Sequence, residues 1–394
     1  MIDFRNPYTP GAGVTPQYLA GRDKLIDDAR QRIETVAGGY QARSIVYFGL
    51  RGVGKTVILN AVENIAEEND LLYKHIEVKE SSDFTKLIAI ACNGFVQNLS
   101  LKEKLKNKAG KLFSVIKSFS AKWNPEDKTV SFGLQDTALE CASAGTGNLS
   151  NDLTELMVTL GKYAKEADAA ISFCVDEIQY AKNEELEAFV TAIHRVNQLG
   201  LPMIFFCAGL PKIRKTMGDT KSYTERLFEF IEVDSLTKDA ARDAIVVPAE
   251  KLGVHYAKDA VNKIIEITQG YPYFIQEMCS IIWHNGDTNL ISIKDVIDNI
   301  GPTNEKLDAG FFHVRYDRCT KSEKLFMTAM VKCGKLPCTI ANVAQIMGRE
   351  VKSISINRSN LINKGLIYAT GHGEINFTVP QFDAFIKRAY PDLE

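Results

Sequence analysis

From Ser44 to about Val233 the chain alternates short runs that are apolar at nearly every position with longer stretches of helical periodicity. The runs SIVYF, LYKHIEV, AAISFCV, MIFFCA and FEFIEV carry the β-branched and aromatic content of strands, and their near-continuous apolarity predicts burial on both faces. Strands of this kind separated by helices predict a parallel sheet covered by helices, an α/β fold. One interval breaks the rhythm. Between the second and third runs, about 101–149, a lysine-rich helical pattern (LKEKLKNKAGKLFSVIKSF) precedes the polar ASAGTGNLSND. The interval reads as an insertion, either a surface helix and loop or a binding element, and lysine runs are usually solvated faces.

After Leu236 the pattern becomes helical. TKDAARDAIVVPAEKL, AKDAVNKIIEITQG and PYFIQEMCSIIWHN read as three helices with breaks at Gly253 and Gly270, and no strand pattern intervenes. From about Ser322 three further helices (SEKLFMTAMVKCG, TIANVAQIMG, VKSISINRSNLINKG) lead into LIYATGHGEINFTV, two strands around a glycine-flanked turn. Three helices followed by a hairpin outline a winged helix-turn-helix. The expected organisation is an α/β domain over 1–235, a helical lid over 236–305 and a winged helix over 306–394. A length of 394 residues suits two or three domains at roughly 100 to 200 residues each.

Composition adds little until it is localised. The net charge of −2 gives no global signal for nucleic acid, so any such contact must come from a local patch. The eight cysteines are scattered, and most read as small core hydrophobes. Cys333 and Cys338 lack a companion Cys or His cluster downstream, so no metal site is expected there. The N-terminal MIDFRNPYTPGAGVTP has no leader pattern, and no apolar run approaches the roughly 18 residues of a membrane span. The expectation is a cytoplasmic protein with reduced thiols and no membrane contact.

The chemistry enters where the first strand meets the first long helix of the sheet region. Gly49-Leu50-Arg51-Gly52-Val53-Gly54-Lys55-Thr56 fits G-x-x-x-x-G-K-[ST], and it lies between strand and helix as a phosphate-binding loop requires. Glycines let successive N–H groups turn inward around an anion, and the helix N-terminus adds partial positive charge. Lys55 is then placed to meet the β- and γ-phosphates of ATP, and the Thr56 hydroxyl to ligate Mg²⁺. A second signal is ISFCVDEIQ, an apolar strand ending in Asp176 and Glu177. It delivers two carboxylates to the sheet edge where α/β proteins bind ligands, Asp176 toward the Mg²⁺ shell and Glu177 toward an attacking water.

On these residues, together with NPYTPGAG, LAGRD, FFCAGLP, KSYTERLFEF, GYPYFIQ and INRSNLINKGLIYATGHGEINFTVPQFDAFI, nearly the whole chain resembles AAA+ type ATPases of the origin-recognition-like group, which shades into the STAND class. The resemblance implies a P-loop NTPase sheet with a helical lid and a C-terminal winged helix, slow ATP hydrolysis to ADP, and a nucleotide-dependent homo-oligomer. It makes Gly21 and Arg22, with Pro7 and Tyr8, adenine-side candidates. It puts Cys207, Ala208 and Gly209 where a polar γ-phosphate sensor is usual, so a strong sensor bond is not expected. Gly270-Tyr271-Pro272 matches the G-x-P signature of STAND lids, with Pro272 fixing the start of the lid helix against the nucleotide. Arg226, opening the fifth strand, becomes either an arginine finger, in cis or in trans, or a strand-edge residue paired with Glu225 or Glu229.

In the terminal region basic residues outnumber acids. Ile354, Leu361 and Ile362 mark one face of the third helix, leaving Lys352, Ser355, Arg358 and Ser359 mostly toward another, a face suited to double-stranded DNA. His372, between two glycines, reads as a solvated turn residue. The expectation is an ATP switch whose lid and winged helix couple nucleotide state to DNA or partner binding. The alternative is a STAND-like signalling scaffold whose winged helix docks protein and never meets DNA.

Overall fold

The computed structural model describes residues 5–100, 114–116, 118–119, 146–371 and 373–390. Most of the expected insertion, Cys141 and His372 lie outside the described residues. The chain forms two compact units, one of Arg22–Gly49 and Lys55–Val233, the other of Met1–Gly21, Leu50–Gly54 and Asp234–Glu394.

In the first unit all five apolar runs are strands of one sheet: β1 (Ser44–Phe48), β2 (Leu72–Glu77), β3 (Ile171–Asp176), β4 (Met203–Gly209) and β5 (Phe228–Glu232). Their order is β2-β3-β4-β1-β5, and every pairing is parallel. Strands β1, β3 and β4 are buried at each position, as continuous apolarity predicts. The edge strands β2 and β5 depart from that expectation, being only partly buried, and β2 carries Lys74 and His75 on this half-wet edge.

Alternation along the central strands feeds two layers. Val46, Phe173, Val175, Phe205 and Cys207 join one core with helices Phe84–Ser100, Leu149–Glu166 and Asn183–Gln198. Phe173 stacks on Phe205 at 5.1 Å, and Phe189 meets Phe205 edge-on at 5.5 Å. The intervening Ile45, Tyr47, Cys174 and Phe206 are buried too. Helix Lys55–Glu68 packs on β2, β3 and β4, and helix Asp23–Ala37 packs beside it. The parallel register brings the carboxyl ends of β1, β3 and β4 to one edge.

The second unit contains the three expected helices, Lys238–Glu250, Lys258–Thr268 and Pro272–Asn285. Two-residue strands, His255–Tyr256 and Leu290–Ile291, pair in parallel between them, too short to leave a pattern in the sequence. The N-terminal segment belongs to this helical core. Tyr8 is 3% exposed, donates its hydroxyl to the Ile245 carbonyl and meets Trp283 edge-on. Further on, helices Lys321–Lys332, Ile340–Ile346 and Val351–Asn363 precede the hairpin Ile367–Gly371 and Glu374–Phe377. Cys338–Thr339 adds a third antiparallel strand, and helix Phe382–Ala389 closes the segment with Phe385 stacked on Phe312 at 5.2 Å.

Candidate nucleotide-binding site

The loop after β1 has the backbone its glycines predict. Gly52 and Gly54 take φ of 83° and 95°, the left-handed region that a side chain would strain. Helix Lys55–Glu68 follows at once and has no acid in its first turn, so no carboxylate of its own offsets the partial charge of its amino end. Residues Leu50–Gly54 count with the second unit. There the Arg51 N–H donates to the Thr378 carbonyl at 3.4 Å, and a Cβ on Gly52 would lie 3.1 Å from Tyr271 Cε1 and 3.2 Å from Tyr273 Cβ.

Within the first unit the remaining predicted groups converge. Lys55, only 7% exposed, donates from Nζ to the Gly49 carbonyl at 3.0 Å. The Thr56 hydroxyl donates to Asp176 Oδ2 at 2.6 Å, and the Glu177 N–H donates to Asp176 Oδ1 at 2.7 Å. Burial lifts the Asp176 carboxyl above its ordinary value and the adjoining Glu177 charge adds to this, while Thr56, the Glu177 amide and Lys55 pull the other way. A half-buried hydroxyl and a buried carboxylate this close are a hard-oxygen pair that suits Mg²⁺. Glu177 itself sits at φ 52°, a strained setting that turns the chain sharply off the strand end.

Gln179 is the residue that sequence reasoning missed. It is 7% exposed, its Nε2 donates to Glu177 Oε2, and its Oε1 accepts the Leu210 N–H at 2.9 Å just past β4. Gly209 makes room for it, since a Cβ there would lie 2.9 Å from Gln179 Oε1. The strand end that lacks a polar sensor is therefore spanned by an amide from the neighbouring motif. The signal was present as a glutamine two residues after the acidic pair and a glycine at the end of β4.

Other candidates are placed differently. Arg226 lies in a four-residue helix, Thr224–Leu227, and β5 begins only at Phe228, so the arginine precedes the strand instead of opening it. Its side chain is exposed, and the Glu229 carboxylate is taken by Arg32. Arg22 is 8% exposed and precedes helix Asp23–Ala37, whose Leu25 and Ile26 N–H groups donate to its carbonyl. Gly21 is sterically required, because a Cβ would sit 2.6 Å from that of Ala240. Pro7 and Tyr8 are buried, and the Tyr8 hydroxyl is already committed to Ile245. Pro272 stands at the first position of its helix, where its missing N–H costs nothing.

On helix Val351–Asn363, Ile354 and Leu361 are buried and Lys352 and Ser355 exposed. The Ser355 hydroxyl donates to the Lys352 carbonyl at 2.7 Å. Arg358 is half-buried, with Nε out of solvent and unpartnered, so it is less available than the helical pattern suggests. Ile356, 68% exposed, and Val351, 47% exposed, share this helix. Among the described residues no helix is long and apolar enough to cross a membrane.

A family model described as "Domain of unknown function (DUF8462)" matches residues 309–386. No curated protein matches the chain. Among solved structures it is similar to the Walker-type ATPase PABY2304 of Pyrococcus abyssi, at 13% identity, over 98% of this chain and 99% of that one, with a TM-score of 0.56. Similarity extends to the Orc1 protein of Aeropyrum pernix, solved in complex with DNA, at 12% identity over 96% and 95% of the two chains with a TM-score of 0.48. Cdc6p of Pyrobaculum aerophilum matches at 14% identity over 98% of each chain, also with a TM-score of 0.48. With its glycine-rich loop after β1 and its acidic pair at the end of β3 set on the order β2-β3-β4-β1-β5, the chain has the AAA+ P-loop ATPase fold.

Proposed function

We propose that the protein is an ATP-binding and ATP-hydrolysing switch. The observation that carries this reading is the 2.6 Å bond between Thr56 Oγ1 and Asp176 Oδ2, with Glu177 held beside them by Gln179. In this role the loop amides and Lys55 bind the phosphates of ATP, Thr56 and Asp176 hold Mg²⁺, and Glu177 orients the attacking water. The ion supplies charge stabilisation at the phosphate oxygens when bound. Arg226, exposed ahead of β5, is available as an arginine finger for a neighbouring copy in a nucleotide-dependent homo-oligomer.

The test separates binding from turnover. Lys55→Ala should lose tight ATP binding, whereas Glu177→Gln should bind ATP normally and turn over about 10²- to 10⁴-fold more slowly. Unchanged affinity in the lysine variant, or full turnover in the glutamine variant, would remove the assignment.

The output of the switch has two readings. Exposed Lys352 and Ser355 favour a winged helix that contacts double-stranded DNA. Exposed Ile356 and Val351 on the same helix favour a winged helix that docks protein. Salt-dependent duplex binding separates the two.

A further inference from the structure

Cys333 and Cys338 have no part in the nucleotide or DNA readings, yet the fold brings them together. Helix Lys321–Lys332 ends at Cys333, Gly334 turns the chain at φ 75°, and Cys338 opens the two-residue strand that pairs antiparallel with Glu374–Phe377. The four intervening residues fold back so that the two side chains interact thiol to thiol. Cys338 is 4% exposed, while Cys333 is the one cysteine among the described residues that is not buried. The pair therefore has an open member and a sheltered one. Cys174 and Cys207 differ, because they lie one register position apart on neighbouring strands and so point to opposite faces of the sheet.

We infer that Cys333 and Cys338 form a reversible modification site, at which a low-molecular-weight disulfide oxidises the pair to an intramolecular disulfide. Cys333, as thiolate, attacks one sulfur of the small disulfide and releases a first small thiolate, which takes up the proton that Cys333 has lost. Cys338 then attacks the Cys333 sulfur, the mixed S–S bond breaks, and the second small thiolate leaves with the Cys338 proton. Two protein thiols are oxidised, and one small disulfide is reduced to two thiols.

Accessibility sets the order of these steps. Burial raises the Cys333 thiol above its ordinary value and, together with the neighbouring Cys333 charge, pushes Cys338 up to about 12. The first attack is therefore slow and falls to the more accessible Cys333. Closure is favoured by the contact, since the second thiol is already at hand. The bridge fastens the end of helix Lys321–Lys332 to strand Cys338–Thr339. Through that strand it reaches the hairpin, because Cys338 is in register with Ile375 and the Ile340 N–H donates to the Gly373 carbonyl at 2.9 Å.

The test incubates the full native chain with oxidised glutathione, then unfolds and alkylates it. Two of the eight thiols should escape alkylation, and the bridge should lower the mass by about 2 Da. Trypsin, cutting after Lys332, Lys335 and Arg349, should release residues 333–335 joined to 336–349, and dithiothreitol should separate them. Cys338→Ser should stop at a glutathione adduct on Cys333, and Cys333→Ser should leave Cys338 reduced. Hydrogen exchange of the Ile340 amide should slow about three- to tenfold in the bridged form. A chain that stays fully reduced, an adduct that persists on wild-type Cys333, or bridges among the other cysteines in equal yield would overturn the inference. An unchanged Ile340 rate would overturn the fastening of the strand. Should a serine variant fail to fold, the wild-type peptide map decides.

Discussion

Gln179 holds Glu177 from the side, donating to its carboxylate through Nε2 while its own Oε1 is anchored on the Leu210 N–H at 2.9 Å. The carboxylate is thereby tied to the end of β4, and its direction depends on the Gln179 amide. On the proposed reading, Gln179→Ala should reduce kcat about 10- to 100-fold with ATP affinity little changed, because its loss would misplace the carboxylate assigned to the attacking water. Gln179→Glu should also slow turnover, and it should move the acid limb of the pH–rate profile upward, since a second carboxylate disfavours ionisation of the first. A profile unchanged in both variants would make Gln179 merely structural.

Asp176 carries a stability cost. Its folded carboxyl titrates above its unfolded value, chiefly because it is buried, so protonation favours the folded state. Without nucleotide, stability is therefore lowest above the raised folded value and recovers as pH falls through it toward about 3.9, the unfolded value. Asp176→Asn mimics the neutral form. It should raise the thermal midpoint of the nucleotide-free protein at neutral pH and abolish Mg²⁺-dependent nucleotide binding. A midpoint equal to or below wild type would contradict the argument.

Glu323 works in the opposite direction. It is 2% exposed and accepts the Thr320 N–H at 2.7 Å and Lys364 Nζ at 2.7 Å, which joins helix Lys321–Lys332 to the end of helix Val351–Asn363. Burial pushes its carboxyl up, but Lys364 and Thr320 outweigh this, and the net value lies below the ordinary one. Its stabilisation is present above the unfolded value of about 4.3 and is lost as pH falls through the lower folded value. Glu323→Gln should destabilise the protein by about 2 kcal/mol in denaturant titration at pH 7, and much less at pH 3. Equal loss at both pH values would mean that packing is responsible.

The duplex reading has a quantitative signature. Lys352→Ala should lower the slope of log affinity against log salt by about one unit. Arg358→Ala should lower it by less, because that guanidinium is half-buried. No binding at low salt in any nucleotide state would leave protein docking as the output.

Most of the sheet was legible because buried parallel strands announce themselves: SIVYF, ISFCVD and MIFFCAG are buried at every position. The glycine-rich turn between β1 and its helix, and the strand that ends in the acidic pair, were legible because left-handed backbone calls for glycine and a fully buried strand for unbroken apolarity. What stayed hidden depends on contacts distant in sequence. The amide of Gln179 gains its meaning only from Gly209 and Leu210, thirty-odd positions away, and the paired dipeptides at His255 and Leu290 are shorter than any period. Arg226 was read one element late, because a single helical turn before a strand carries no repeat to detect.

The second unit is assembled from three separate stretches of chain, and this fixes an order of events at the ribosome. Tyr8 leaves the ribosome ahead of its partner, the Ile245 carbonyl, which lies 237 residues later. At about 5–20 residues per second that is a wait on the order of tens of seconds. During that time the first segment has no core to join, while the sheet unit already has its own strands and helices to collapse upon. Synthesis thus yields a sheet unit that can fold before Tyr8 has a core to enter, and that wait is the interval in which a chaperone would have most to cover.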